Sequence, residues 1–281
     1  MSQTDFKAPP LGQEFEPLQA IPGPGLIGRM LGRRALQTPL PPGVRVYAVG
    51  DIHGCAGLLA RACEFIASNA GKDAPERKYL VFMGDYVDRG PDSRDVIEQL
   101  IKGVPGLLTL CLRGNHDQSM LNFLGDPGFF RLWKGFGGRE TLLSYGITPP
   151  EHEDDESLFE ARDTFAEAVP ETHIRFLESL PYFVRIGGYL FVHAGFRPGL
   201  PIAKQRREDM LWIRDEFLDT RRNFGATVVY GHTPSARPAD RGDRVGIDTG
   251  AYATGKLTVA VFEGGARRFY AVSKDRVKAW D

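Results

Sequence analysis

Five short polar strings hold most of the residues in this chain that could do chemistry. They are Gly50-Asp51-Ile52-His53-Gly54, Gly84-Asp85-Tyr86-Val87-Asp88-Arg89-Gly90, Gly114-Asn115-His116-Asp117, His193-Ala194-Gly195 and Gly231-His232-Thr233. Four of the six histidines (His53, His116, His193, His232) fall within them. The donors on offer are imidazole nitrogens, carboxylates and one amide oxygen, with no thiolate. That set suits Mn, Fe or Zn at a reactive centre rather than a thiolate-bound structural zinc. Asp51 and His53 are two residues apart, a spacing that would point both side chains the same way on an extended strand end. Asp85 and Asp88 are three apart, which gives them different tasks. Any one string also reads as a simple turn. Five in order, each behind an apolar run, do not arise as independent turns.

The segments between the strings are the elements that must position them. Val44 to Val49, Tyr79 to Met83 and Leu107 to Leu112 read as strands, each running into one of the first three strings. Leu58, Leu59, Ala62, Phe65 and Ile66 recur at helical spacing, as do Val96, Ile97, Leu100 and Ile101. Residues 118–180 read as mostly helical, with an acidic run at Glu151, Glu153, Asp154, Asp155 and Glu156 taken as a solvated loop or helix start, or as a lid for basic phosphopeptides. Tyr182 to Ile186 and Tyr189 to Val192 flank Gly187-Gly188 as a hairpin. A helix is expected over Glu208 to Leu218, then strands at Thr227 to Tyr230, Val245 to Ile247, Leu257 to Phe262 and Phe269 to Val272. Alternating strands and helices predict an α/β fold, and ligands in such sheets gather beyond the carboxyl ends of the strands.

The strings GDxHG, GDxVDRG, RGNHD, HAG and GHT together resemble the calcineurin-like metallophosphoesterases, and within them the PPP family of Ser/Thr protein phosphatases. The resemblance spans roughly residues 46–262. It implies a double β-sandwich, two mixed sheets flanked by helices, with two divalent metal ions, most naturally manganese, at one edge. By motif, Asp51 and His53 would ligate the first metal, Asp85 would bridge, and Asn115, His193 and His232 would complete the second. His116 would be the catalytic histidine, oriented by Asp88. Arg89 and Arg113 would grip the substrate phosphate. Arg214, in Leu211-Trp212-Ile213-Arg214, resembles a further phosphate-binding arginine of bacterial members, and reads equally as a helix residue paired with Asp215 or Glu216. Two metals roughly 4 Å apart would lower the pKa of a shared water and hold it in line with phosphorus. Arginine forks would take the equatorial oxygens, and a protonated His116 would supply the leaving alkoxide with its proton.

Three departures bear on substrate. Asp117 stands where eukaryotic members carry glutamate, their tyrosine-bearing loop is missing, and Gly246-Ile247-Asp248-Thr249-Gly250-Ala251 looks like the bacterial branch. That branch also contains bis(5'-nucleosyl)-tetraphosphatases, the alternative reading. Many of those lack the counterparts of Asp88 and Arg113, so these two residues favour phosphomonoester chemistry on a phosphoprotein or phosphopeptide. No aromatic pair close in sequence marks an adenine pocket.

Composition sets the remaining bounds. The chain has 281 residues, with 35 Lys+Arg against 36 Asp+Glu, a balance unlike that of nucleic-acid-coating proteins. No run approaches the ~18 apolar residues of a membrane span. Three cysteines (Cys55, Cys63, Cys111) without a CxxC pair fit a reducing, cytoplasmic setting, with Cys55 as a small buried residue or a redox modulator beside the first string. Residues 1–43 hold eight of the 20 prolines and are expected to be an extension to a catalytic domain spanning 44–281. Within the extension, Leu26 to Leu36 could form a short basic helix. Gly23-Pro24-Gly25-Leu26-Ile27-Gly28 matches GxGxxG but follows no strand, so it is not read as a dinucleotide loop.

Overall fold

The computed structural model describes residues 40–71 and 75–280. The GxGxxG string and the expected helix at 26–36 lie outside the described residues. A first sheet of six strands runs in the order β11-β10-β9-β1-β2-β3 and a second of five in the order β4-β5-β6-β8-β7. Strands β1 (Val44–Val49), β2 (Arg77–Phe82) and β3 (Leu108–Cys111) are mutually parallel. β4 (Phe183–Ile186) and β5 (Tyr189–Val192) form the expected hairpin, and β5 runs parallel to β6 (Thr227–Tyr230), which in turn runs parallel to β8 (Arg244–Gly246). The two-residue β7 (Ala239–Asp240) edges the second sheet, and β9 (Leu257–Glu263), β10 (Ala266–Val272) and β11 (Val277–Ala279) extend the first by antiparallel pairing. Each sheet thus contains three parallel strands, and their carboxyl ends carry the polar strings.

Helices cover the outer faces. α1 (Ala56–Asn69) and α2 (Ser93–Lys102) follow the first two strings, and α3 (Asn115–Gly125) begins inside the third. The helical middle comprises α4 (Phe130–Trp133), α5 (Gly138–Ser144), α6 (Asp155–Ala168) and α7 (Glu171–Ser179). The single helix expected over Glu208 to Leu218 is instead α8 (Arg207–Trp212) and α9 (Asp215–Leu218). Between them Arg214 adopts φ −128°, ψ −100°, far from helical. α10 (Ala251–Thr254) completes the set.

Period-two alternation explains why β1 is buried along almost its whole length. Tyr47 and Val49 face the helices with Leu59, Ile66 and Phe123, while Val46 and Ala48 face the second sheet with Phe191, Val229 and Val245. A third cluster packs Val192 and Val228 against Met210 and Phe217 of α8 and α9. The result is four layers, helix, sheet, sheet, helix. Leu40, placed before the expected domain start, belongs to the inter-sheet core. It is 2% exposed, and its N–H donates to the Gly264 carbonyl at 3.1 Å. Leu40→Ala in the full chain should therefore lower the unfolding free energy by about 2–5 kcal/mol. Urea melts of the two proteins check this, and an unchanged midpoint would show that Leu40 contributes no packing.

Candidate metal centre

The polar strings meet at the carboxyl ends of five parallel strands, three from the first sheet and two from the second. Asp51 and His53 follow β1, Asp85, Asp88 and Arg89 follow β2, and Asn115 and His116 follow β3; His193 follows β5 and His232 follows β6. Backbone hydrogen bonds tie the loops together. The amides of Ile52 and His53 both donate to the Asp85 carbonyl (3.1 and 2.9 Å), and Gly54 N–H donates to the Tyr86 carbonyl at 2.9 Å. Asp117 closes the arrangement by accepting from the amides of Asp85 (2.9 Å), Tyr86 (2.8 Å) and Gly114 (2.8 Å). Burial pushes its carboxyl up to about 7, against the pull of those three donors. Two glycines are required by contact: a Cβ on Gly114 would sit 2.2 Å from Asp85 Oδ1, and one on Gly231 would sit 2.1 Å from Asp51 Oδ1.

The backbone is strained where the strings are. Among the described residues, every non-glycine residue with positive φ belongs to them: His53 (46°), Asp85 (54°), Asp88 (72°), Arg89 (69°) and His232 (61°). Each left-handed residue costs on the order of 1–3 kcal/mol, which the loop ties must hold in place. His53 is thus not on an extended strand end. Its turn, rather than strand alternation, aims its ring.

Two groups of buried donors share Asp85. The ligand atoms of His53, Asp85 and His116 lie within 4.8 Å of one another, and so do those of Asp85, His193 and His232. His193 Nε2 lies 2.9 Å from Asn115 Oδ1, which brings Asn115 to the second group. Asp51 stands outside the first group at that spacing, although its Oδ2 accepts the His232 amide at 2.9 Å. Tautomer and aim are fixed from behind: His53 Nδ1 sits 3.0 Å from the Val87 carbonyl and His193 Nδ1 sits 2.9 Å from the Met83 carbonyl, leaving both Nε2 atoms facing the centre. Burial drives the imidazoles toward neutrality, His53 down to about 3 and His232 to about 2, so their ring nitrogens are available as lone-pair donors.

His116 is held differently. Its Nδ1 lies 2.7 Å from Asp88 Oδ2. Burial opposes its charge, but Asp85 and Asp88 outweigh that and raise its pKa. Asp88 is fully buried and accepts from Trp133 Nε1 at 2.9 and 3.1 Å and from Thr141 Oγ1 at 2.6 Å. Trp133 and Thr141 come from the helical middle, where no sequence pattern marks them. Arg89 lays its guanidinium across two rings, Nη1 3.3 Å from His53 Nε2 and Nη2 3.2 Å from His116 Nε2.

The other two arginines are placed unequally. Arg113 donates to the Leu177 and Glu178 carbonyls at the end of α7 (both 2.8 Å) and to Gln118 Oε1 (2.8 Å), so its guanidinium serves a helix terminus rather than the donor cluster. Arg214 is exposed and donates to Thr233 Oγ1 at 3.4 Å, beside the His232 string. Its neighbour Glu216 pairs with Arg197 instead, at 2.6 Å. Asp248, after β8, is a residue that sequence reasoning left without a role. It is 4% exposed, burial raises its carboxyl to about 6, and its charge helps to raise Asp51. The acidic run is engaged locally: Glu153 pairs with Lys134, Asp155 with Arg131 at 2.9 Å, and Asp154 caps α6. Burial raises the Cys55 thiol to about 11, which suits a packing residue and not a reactive thiolate.

A family model for calcineurin-like phosphoesterases matches residues 44–260. This chain belongs to that family. Among its relatives, the asymmetrical bis(5'-nucleosyl)-tetraphosphatase PrpE of Anoxybacillus flavithermus is 27% identical over 234 residues, covering 75% of this chain and 87% of its own. Serine/threonine-protein phosphatase 1 of Salmonella typhimurium is 28% identical over 227 residues, covering 76% and 90%. In fold alone, the chain is similar to the crystal structure of a cold-active protein-tyrosine phosphatase from a psychrophilic Shewanella (TM-score 0.51, 16% identity, 88% and 85% covered).

Calcineurin-like phosphoesterases use two divalent metals, and the residues here fit them. Asp51 Oδ1 and His232 Nε2 are buried without any hydrogen-bond partner, a costly state that a cation between the loops would relieve. Asp85, common to both donor groups, is suited to bridge. Asp85→Asn should therefore reduce the metal content of Mn²⁺-loaded protein from about two ions per chain to one or fewer. Elemental analysis after gel filtration measures this, and two retained ions would deny Asp85 its bridging place. Asp117→Asn must turn an NH₂ toward at least one backbone amide and should cost about 1–3 kcal/mol in urea melts of the metal-free protein. An unchanged midpoint would show that the loops hold without that acceptor.

Proposed function

We propose that this phosphoesterase hydrolyses phosphate monoesters, with phosphoserine and phosphothreonine side chains of proteins as its substrates and manganese as its metal. The observation that carries the reading is the His116–Asp88 pair. The scissile bond of a phosphoserine leaves as an alkoxide, the poorest of biological leaving groups, and it needs a proton as it departs. His116 Nε2 faces the centre, while Asp88 behind Nδ1 favours the charged ring and fixes its tautomer. The Trp133 and Thr141 donors keep Asp88 an acceptor, so it orients His116 rather than taking its proton. Arg89, 3.2 Å from His116 Nε2, brings a fixed positive charge to the place of the phosphoryl oxygens, and Arg214 stands at the rim as a second cation. Two divalent cations, when bound, supply an activated water and neutralise the phosphate charge. The nitrogen and oxygen donor set is compatible with manganese, as it is with iron or zinc.

A second reading, hydrolysis of dinucleoside polyphosphates, has support of its own. Several relatives, the PrpE of Anoxybacillus flavithermus among them, bear that name, and aromatic side chains stand at the mouth of the centre. A polyphosphate leaving group is already acidic and gains little from protonation, so the two readings separate on His116. His116→Asn should lower kcat about 100-fold on phosphoserine peptides and far less on p-nitrophenyl phosphate. Steady-state kinetics with Mn²⁺ on both substrates and on diadenosine tetraphosphate test the proposal. Equal losses on the two monoesters would deny His116 the role of general acid, and a kcat/KM tenfold in favour of the dinucleotide would replace the proposal with the second reading.

A further inference from the structure

The mouth of the metal centre is edged by three aromatic rings that no motif string contains. Phe136, between α4 and α5, lies 5.8 Å from the His116 ring, and Trp212, at the end of α8, lies 6.1 Å from the His232 ring. Phe136 and Trp212 touch each other at 5.5 Å, closing one wall across the two halves of the molecule. On another side Tyr252, in α10, lies 5.4 Å from the His53 ring, with the Arg89 guanidinium 4.8 Å above its own ring. Trp212 is 39% and Tyr252 44% exposed. Among the described residues only one other aromatic side chain, Phe159, is comparably exposed, so solvent-facing rings concentrate at this mouth. Residues 136 and 212 are far apart in the chain, which is why no aromatic pair is visible in the sequence.

We propose that Phe136, Trp212 and Tyr252 are specificity residues that form a stacking rim for a planar ring carried by the substrate phosphate. The inference rests on the phosphoesterase reading of the same centre and not on phosphoserine as its substrate: a rim that prefers a flat neighbour to the phosphate favours ring-bearing phosphates over alkyl ones. Each ring sits one layer outside the histidines. A phosphate gripped by Arg89 places its substituent against that layer. A flat substituent gains contact with the faces and edges of the rim and with the adjacent guanidinium, whereas a serine-like alkyl stem leaves Trp212 and Tyr252 wet. The ring could be an aryl group bonded directly through the ester oxygen or the base of a nucleotide. Both present the same flat, polarisable surface beside an anion.

Calorimetry on the full Mn²⁺-loaded chain tests the rim without relying on turnover. Phenylphosphonate is compared with methylphosphonate, and adenosine 5'-monophosphate with ribose 5-phosphate. In the wild type the ring-bearing member of at least one pair should bind about tenfold more tightly, equivalent to ~1.4 kcal/mol. Trp212→Ala and Tyr252→Ala should reduce that advantage below threefold, and Trp212→Phe should preserve most of it, which separates a lost ring from a disturbed fold. A preference in the first pair identifies an aryl phosphate and one in the second identifies a nucleotide; either supports the rim. Equal binding within both pairs, or a ring preference that survives all three alanine variants including Phe136→Ala, would overturn it. Failure to cleave phosphoserine peptides would sink the protein-phosphatase reading while leaving this comparison intact.

Discussion

The centre is organised around an unfavourable charge arrangement. Asp51, Asp85 and Asp248 are at most 4% exposed, and they repel one another. Burial, with Asp248 and Asp85 beside it, holds Asp51 well above the ordinary carboxylate range. Asp85 alone is pulled down, because four histidines surround it and outweigh its burial. Those histidines cannot neutralise the group for long: His53, His193 and His232 are themselves driven toward the neutral form by burial. The side chains thus leave a buried negative site lined with lone pairs, whose natural complement is divalent cations.

Holding that arrangement takes backbone strain, and the strain is localised. The five left-handed residues sit in loops that are tied to neighbouring loops by backbone bonds, such as those from the Ile52 and His53 amides to the Asp85 carbonyl and from the Gly231 amide to the His193 carbonyl. The Asp117 carboxylate collects three amides that would otherwise be buried without acceptors, and the amide of His116, in the first turn of α3, donates to Asp85 Oδ1 at 3.0 Å. One helix start therefore does two jobs. Its first turn supplies Asn115, His116 and Asp117, and its free amides meet the central carboxylate where negative charge is favoured. The GNHD string is better understood as a helix N-terminus than as a loop.

The fold was legible because apolar runs of strand length alternate with helical periodicity, and because parallel strands buried on both faces read as continuous apolar stretches. Val44–Val49 and Thr227–Tyr230 were recoverable to the residue for that reason. What was not legible depended on contacts remote in sequence. Trp133 and Thr141 look like ordinary helix residues until Asp88 is seen between them. Arg113 carries the motif spacing of a phosphate ligand, but Pro181 and the end of α7 arrive beside it and claim its backbone N–H and its guanidinium. Arg214 falls in a stretch with helical hydrophobic spacing, yet the chain breaks there, with Arg214 at φ −128°, ψ −100° between α8 and α9. Asp248 follows a strand that the sequence does announce, but its nearness to Asp51 shows only once the two sheets are packed.

The strings and the segments that connect them hold different parts of the site. The donors, the His116–Asp88 pair and Arg89 all lie within strings at strand ends, where two sheets and a set of strained loops over-determine their positions. Phe136, Trp212 and Tyr252 lie in the segments that link these strings, each with its ring against one of the cluster histidines. The phosphoryl chemistry belongs to the sandwich edge, and the rim proposed above is built from the connecting segments. Residues 127–137 and 207–218 meet through Phe136 and Trp212 at the mouth, so the wall they form depends on both halves of the molecule being docked. The proposed rim is therefore coupled to the packing of the two sheets, the same inter-sheet core that brings His193 and His232 to Asp85.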